Sequence, residues 1–183
     1  TGGIDLSVGA VVAITGAVCA NLLNSSFDAM FLVIAAGLLV GLAAGMVNGS
    51  LVSIFGIQPI VATLVLMVAG RGIAQLINSG QIVTFQNQSF AAIGVGSIFG
   101  LPSPVVIALL VFLLVQLAMR FTALGLFIEA CGSNPRASHY LGLNVRVIKF
   151  FVYCVSGICA AFAGMVITAD IQGADANNAG LWL

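Results

Sequence analysis

A bilayer core about 30 Å thick is crossed by about 20 apolar residues in helical conformation. This chain holds five runs of that order: Leu6 to Leu23, Ala29 to Ser53, Ile60 to Ile77, Leu101 to Met119 and Phe150 to Ala169. Lipid offers no hydrogen bonds, so each run must satisfy its own backbone as a helix or pair as a strand of a closed barrel. The runs are too long for barrel strands and lack their strict alternation. Composition agrees, because 61% of residues are hydrophobic and only 5% are charged, whereas a soluble domain has about a quarter of its residues charged. The expected fold class is therefore all-α, a polytopic transmembrane bundle of about five spans in the lipid bilayer. With Thr1 in place of an initiating Met and a last stretch "GLWL" without a polar tail, residues 1–183 are expected to be a fragment of a single transmembrane domain.

Five cations balance five acids, so no nucleic-acid partner is expected, since one would call for a basic face. Cys19, Cys131, Cys154 and Cys159 show neither CxxC spacing nor His neighbours and read as packing residues. With one His and no HExxH, GxSxG or Walker A pattern, the chain offers no metal site, nucleophile elbow or phosphate cradle. Asp170 and Asp175 are two neighbouring carboxylates in a polar tail and do not by themselves make a catalytic pair. No cofactor and no enzymatic activity are expected.

Arg120, Arg136, Arg146 and Lys149 all fall between the fourth and fifth runs. Short loops rich in Lys and Arg stay in the cytoplasm, so residues 120–149 form a cytoplasmic loop. The uncharged Phe55 to Pro59 hairpin is then also inside. The Asn24 to Asp28 turn and the loop at 79–100 are outside.

Charge alone does not explain the order of residues in "SNPRASHYLGL". Asn134 suits an N-cap, Pro135 the first helical position and Gly142 the left-handed residue just past the end. The spacing predicts a short helix, Arg136 to Leu141, with Ala137, Tyr140 and Leu141 on one side and Arg136 and His139 on another. So short a helix is unstable alone in water and needs a surface to dock on. Lipid headgroups and a protein partner both satisfy that need.

"TGGIDLSVGA" at Thr1 to Ala10, "QPIVATLVLMVAGRGIAQLI" at Gln58 to Ile77, "GSNPRASHYLGLNV" at Gly132 to Val145 and "ADIQGADANNAGLWL" at Ala169 to Leu183 stand in one collinear order. Together they resemble the permease subunits of bacterial ribose-type ABC sugar importers. "SGQIVTF" and "GADANNAG" are most similar to the galactofuranose-importing members. The resemblance implies a multi-pass subunit of the bacterial inner membrane that moves a monosaccharide, galactofuranose or a related pentose or hexose, into the cytoplasm. It implies as partners an ABC ATPase subunit, a second permease subunit and a periplasmic sugar-binding protein. It also makes Asn134, Pro135, Arg136, His139, Tyr140, Leu141 and Gly142 a coupling helix seated in the ATPase, within a cytoplasmic coupling loop, 120–149.

Other polar residues inside the spans are candidates for the sugar path. Arg71 lies in the third run with Gln75 and Asn78 at i+4 and i+7, a stripe on one helix face. Either the stripe contacts sugar hydroxyls, or Arg71 satisfies carbonyls of a broken helix. Asn48 lies beside a ridge of Gly37, Gly41, Gly45 and Gly49, which permits close helix approach. Asp5 is placed to cap a helix starting near Leu6, with sugar contact as the other reading. Asp170, Gln172, Asp175, Asn177 and Asn178 read as an outer loop or a re-entrant segment. The 79–100 loop carries Phe85, Phe90, Ile93 and Phe99 and, by resemblance, forms part of the surface for the binding protein. The rival from another class is an ATPase-independent channel or secondary carrier. Carriers place ionisable groups deep in their spans, and here only Arg71 qualifies.

A cysteine introduced at Asn87 is expected to react with an impermeant maleimide from the external side only. Labelling from the cytoplasmic side alone would invert the topology.

Overall fold

The computed structural model describes residues 2–25, 30–98 and 100–175. The expected runs form helices α1 (Val8–Asn24), α2 (Met30–Ser53), α3 (Pro59–Ile77), α5 (Ser103–Phe121) and α8 (Val145–Ile171), with α4 (Gln88–Val95), α6 (Ala123–Ser133) and α7 (Pro135–Tyr140) between them. Helices α2, α3, α5 and α8 are long and apolar enough to cross a membrane by length and composition. Helix α1, with 17 residues, reaches about 26 Å and falls short, because Gly2 to Ser7 stay non-helical ahead of it.

The core forms where glycine lets backbones meet. Helices α2 and α8 pack along most of their lengths. A Cβ at Gly41 would strike the Gly157 carbonyl and stand 2.6 Å from the Ala161 Cβ, and one at Gly45 would stand 2.8 Å from the Cys154 Cα. The ridge read from the sequence therefore faces α8. Helix α1 crosses this pair and also packs on α3, where Gly70 sits under Ala10 and Ile14. Helix α5 stands apart: Ser103 is its one buried residue, and an apolar cleft of about 570 Å³ separates Pro104, Val111 and Val115 from Cys159, Phe162 and Val166 of α8.

Two segments read as loops contain helices. The 79–100 stretch holds α4 and folds back onto one end of the bundle. Asn87 caps α4 by accepting from the Phe90 amide at 3.1 Å. Phe85 and Phe90 are buried edge to face, ring centroids 5.6 Å apart, in one cluster with Cys19, Val33 and Met165. These two rings are core residues rather than surface for a partner, and Phe99 lies outside the described residues. A short antiparallel pair, β1 (Val83–Thr84) with β4 (Gly173–Ala174), ties this segment to the end of α8; β2 (Ser97–Ile98) and β3 (Leu101–Pro102) form a second pair before α5. In 120–149, α6 was hidden because its apolar stretch is shorter than a membrane span. Helix α8 begins at Val145 rather than Phe150, since Arg146 and Lys149 interrupt hydropathy but not helix formation. Asp170 therefore sits in the last turn of α8, and Gln172 follows in the left-handed conformation. Of the earlier expectations, part of the Asn24 to Asp28 turn, Asn177 and Asn178 also lie outside the described residues.

Gly157→Val is expected to destabilise the fold by about 1–3 kcal/mol through overpacking, whereas Gly72→Ala, with no atom within 4 Å of the added carbon, is expected to leave it unchanged. Thermal unfolding of the purified protein in detergent checks the contrast.

Candidate functional site

Two groups of candidate residues lie at different places in the bundle. The first is the α7 segment. The Asn134 side chain accepts from the Arg136 and Ala137 amides, both at 3.1 Å, Pro135 occupies the first helical turn, and Gly142 takes φ +83°. Each punctuation residue thus does locally what its chemistry favours. The Leu141 amide donates to Ala137 and the Gly142 amide to His139, which closes the helix end. Ser138 is the one buried residue of α7, its hydroxyl turned back to the Asn134 carbonyl at 3.0 Å.

The opposite side is bare. Tyr140 is 89% and Leu141 80% exposed, although Leu is a residue type that proteins usually bury. Beside them lies an open groove of about 760 Å³, lined by Pro135, Arg136, His139, Gly142, Asn144 and Arg146. The segment therefore presents two large apolar side chains next to two guanidinium groups and an imidazole. Asn144 then caps α8, accepting from the Val147 amide at 3.4 Å, so α7 is joined to the 27-residue α8 by a short connection.

The second group is polar and inside the bundle. Asp5 does not cap the first turn: α1 begins at Val8, with Ser7 at the N-cap position. One carboxyl oxygen of Asp5 instead accepts from the Ser7 amide at 3.0 Å and the Ser7 hydroxyl at 2.6 Å, and the other accepts from the Ser156 hydroxyl of α8 at 2.8 Å. The Ser7 hydroxyl in turn accepts from the Asn48 amide of α2 at 2.7 Å. Asn48 and Asp5, separate in the sequence reading, are thus joined through Ser7, while the carbonyl oxygen of Asn48 is buried without a partner.

The α3 stripe lies elsewhere. The Thr63 hydroxyl of α3 donates to the Pro59 carbonyl at 2.9 Å and lies 3.4 Å from the Ile4 carbonyl, and Arg71 stands eight residues farther along the helix, about 12 Å away. Arg71 is half-buried and its Nε has no hydrogen-bond partner, so the reading that backbone carbonyls satisfy it is not met at that atom. Gln75 is exposed. Asn78 is buried, accepts from the Asn21 amide of α1 at 2.8 Å and donates to the Ala174 carbonyl at 3.1 Å, so its side chain joins α1, α3 and β4. Sequence reasoning missed Ser7, Asn21 and Ser156. Each is an isolated polar residue in or at the end of an apolar run, and only the fold reveals its partner.

A family model described as the permease component of the branched-chain amino acid transport system matches residues 1–183. The chain is 56% identical to a galactofuranose transporter permease protein of Escherichia coli, over all of this chain and 53% of the relative. It is 42% identical to a fructose import permease protein of Bifidobacterium longum, over 98% of this chain and 51% of the relative. A ribose import permease protein of Haemophilus influenzae is 39% identical, over 94% and 54% respectively. The chain spans about half the length of these curated relatives, and no solved structure matches it.

Asn134→Ala is expected to cost α7 about 1 kcal/mol, about a fivefold increase in local opening. Hydrogen exchange at the Arg136 and Ala137 amides reads it out. Unchanged exchange would mean that the cap does not hold the helix.

Proposed function

The chain belongs to the family of permease components described for the branched-chain amino acid transport system, and on that footing we propose that it is part of the transmembrane permease subunit of an ATP-driven ABC importer. The cargo is a monosaccharide, galactofuranose or a related pentose or hexose. The relatives that carry this reading are named for galactofuranose, fructose and ribose. The subunit resides in the bacterial inner membrane, works with a second permease subunit and receives sugar from a periplasmic binding protein. It hydrolyses nothing itself: ATP is consumed on a separate ATPase subunit.

One observation carries the mechanism, namely the exposed Tyr140 and Leu141 beside Arg136 and Arg146 on a helix that its own chain caps at both ends. Such a helix is preformed, so docking loses little conformational entropy. Its apolar pair fills a hydrophobic recess, and its cations suit carboxylates at the rim. Nucleotide-driven movement of the ATPase then shifts α7, and the short connection from Leu141 to Asn144 passes the shift to α8. Because α8 and α2 meet backbone to backbone, they tilt as one body. That tilt exchanges outward and inward access without chemistry in the permease.

The double substitution Arg136→Glu, Leu141→Asp in the complete complex is expected to abolish ATP-dependent sugar uptake into vesicles and pull-down of the ATPase, with the permease still inserted. Normal uptake and association would reduce the segment to a topology anchor. Uptake that survives removal of the ATPase would instead favour a channel or secondary carrier.

A further inference from the structure

From Gly2 to Leu6 the backbone is non-helical, exposed as far as Ile4 and half-buried at Asp5 and Leu6, and it leads into the buried Ser7, whose carbonyl accepts the first helical bond of α1 from the Val11 amide. The polar side chains of this segment tie it to neighbouring helices. On one side Asp5 accepts from Ser156 of α8 and Ser7 accepts from Asn48 of α2. On the α3 side the Ile4 carbonyl only lies 3.4 Å from the Thr63 hydroxyl, whose single proton goes to the Pro59 carbonyl of its own helix at 2.9 Å. The glycine contact makes α2 and α8 a single body, while α3 packs chiefly on α1. The segment is therefore a strap tied by side-chain hydrogen bonds to the α2–α8 pair and continuous through the chain with α1, which packs both on that pair and on α3. Its Gly2 takes φ +72°, a conformation open to glycine at no steric cost.

Ser156 lies 11 residues beyond Val145, about 17 Å along α8 from the end that follows α7. We infer that the Asp5–Ser156 hydrogen bond is the joint through which displacement of α7 and α8 is passed to the Gly2–Ser7 strap and so to α1 and α3. This inference rests on the coupling reading above. A strap of irregular backbone bends without breaking helix hydrogen bonds, so it transmits a pull only where it is attached. Asp5 is that attachment to α8, and Ser7 with Asn48 is the parallel attachment to α2. Ser156 and Asp5 are thus positioning residues, with no direct contact to ATP.

The test measures sugar uptake and ATP hydrolysis together in vesicles holding the complete complex, with thermal stability recorded separately. Ser156→Ala is expected to keep hydrolysis within about twofold of wild type while uptake per ATP falls about tenfold or more. Ser156→Thr, which retains the hydroxyl, is expected to restore the ratio. An unchanged ratio in Ser156→Ala overturns the joint. So does a parallel fall in uptake, hydrolysis and thermal stability that Ser156→Thr does not relieve, because that pattern belongs to packing. A wild-type complex that takes up sugar without ATP fails differently, by removing the importer reading itself.

Discussion

Everything in this bundle depends on one contact, the meeting of Gly41 and Gly157 backbones between α2 and α8. Hydrophobic burial does not hold helices together in lipid, because lipid tails are as apolar as leucine; close packing and hydrogen bonds must do it. Glycine at four-residue intervals along α2 presents a smooth face, and α8 answers with Gly157 opposite Gly41 and with Ala161 beside it. The same device recurs where α1 crosses the pair, at Gly16 beneath Thr168 and at Gly164 beneath Thr15. Large side chains are thereby turned outward: Leu39, Met46 and Val47 of α2 are exposed, as suits lipid.

Close packing also explains where polar side chains occur. Several lie where two elements come near enough for one hydrogen bond to serve both. Asn78 bridges Asn21 and Ala174 at one end of the bundle, and Ser7 bridges Asp5 and Asn48 within it. Such bonds fix relative positions of helices whose apolar surfaces would otherwise slide. Helix α7 follows the opposite rule. Its polar groups satisfy its own ends, and Tyr140 and Leu141 stay exposed, Tyr140 edge to face with His139. That inversion sets α7 apart from the helices that pack within the bundle.

How much of this could be read beforehand follows from the range of each interaction. The cap, the proline and the terminal glycine of α7 were legible because each acts within three residues. The glycine ridge was legible as a ridge, but its partner helix, more than a hundred residues away, was not. Asp5 was assigned to the nearest helix start because capping is the commonest use of such a residue. One carboxyl oxygen does serve the nearby Ser7, but the partner of the other, Ser156, is 151 residues distant, and no local pattern reveals it. Helices α4 and α6 escaped for another reason: a search for membrane-length runs passes over helices of 8 and 11 residues. The aromatic residues ahead of and within α4 looked available for a partner until the fold showed Phe85 and Phe90 inside the core.

The length of α8 ties these local arrangements to movement. At 27 residues it measures about 40 Å, longer than the hydrocarbon core it crosses, so its first turns extend toward α7 while its middle stays between α1 and α2. Residues at its start, Arg146 and Lys149, carry charge suited to the interface. Those farther along, Gly157 and Gly164, carry no side chain at all and fit against neighbouring backbones. On the proposed coupling, such a rod, charged at the end nearest α7 and fitted to its neighbours along its middle, would move with α2 as one body. The glycine contact that joins the two lies one residue beyond the Ser156–Asp5 bond. A displacement at α7 would therefore reach the irregular Gly2–Ser7 backbone at the level where α2 and α8 meet backbone to backbone.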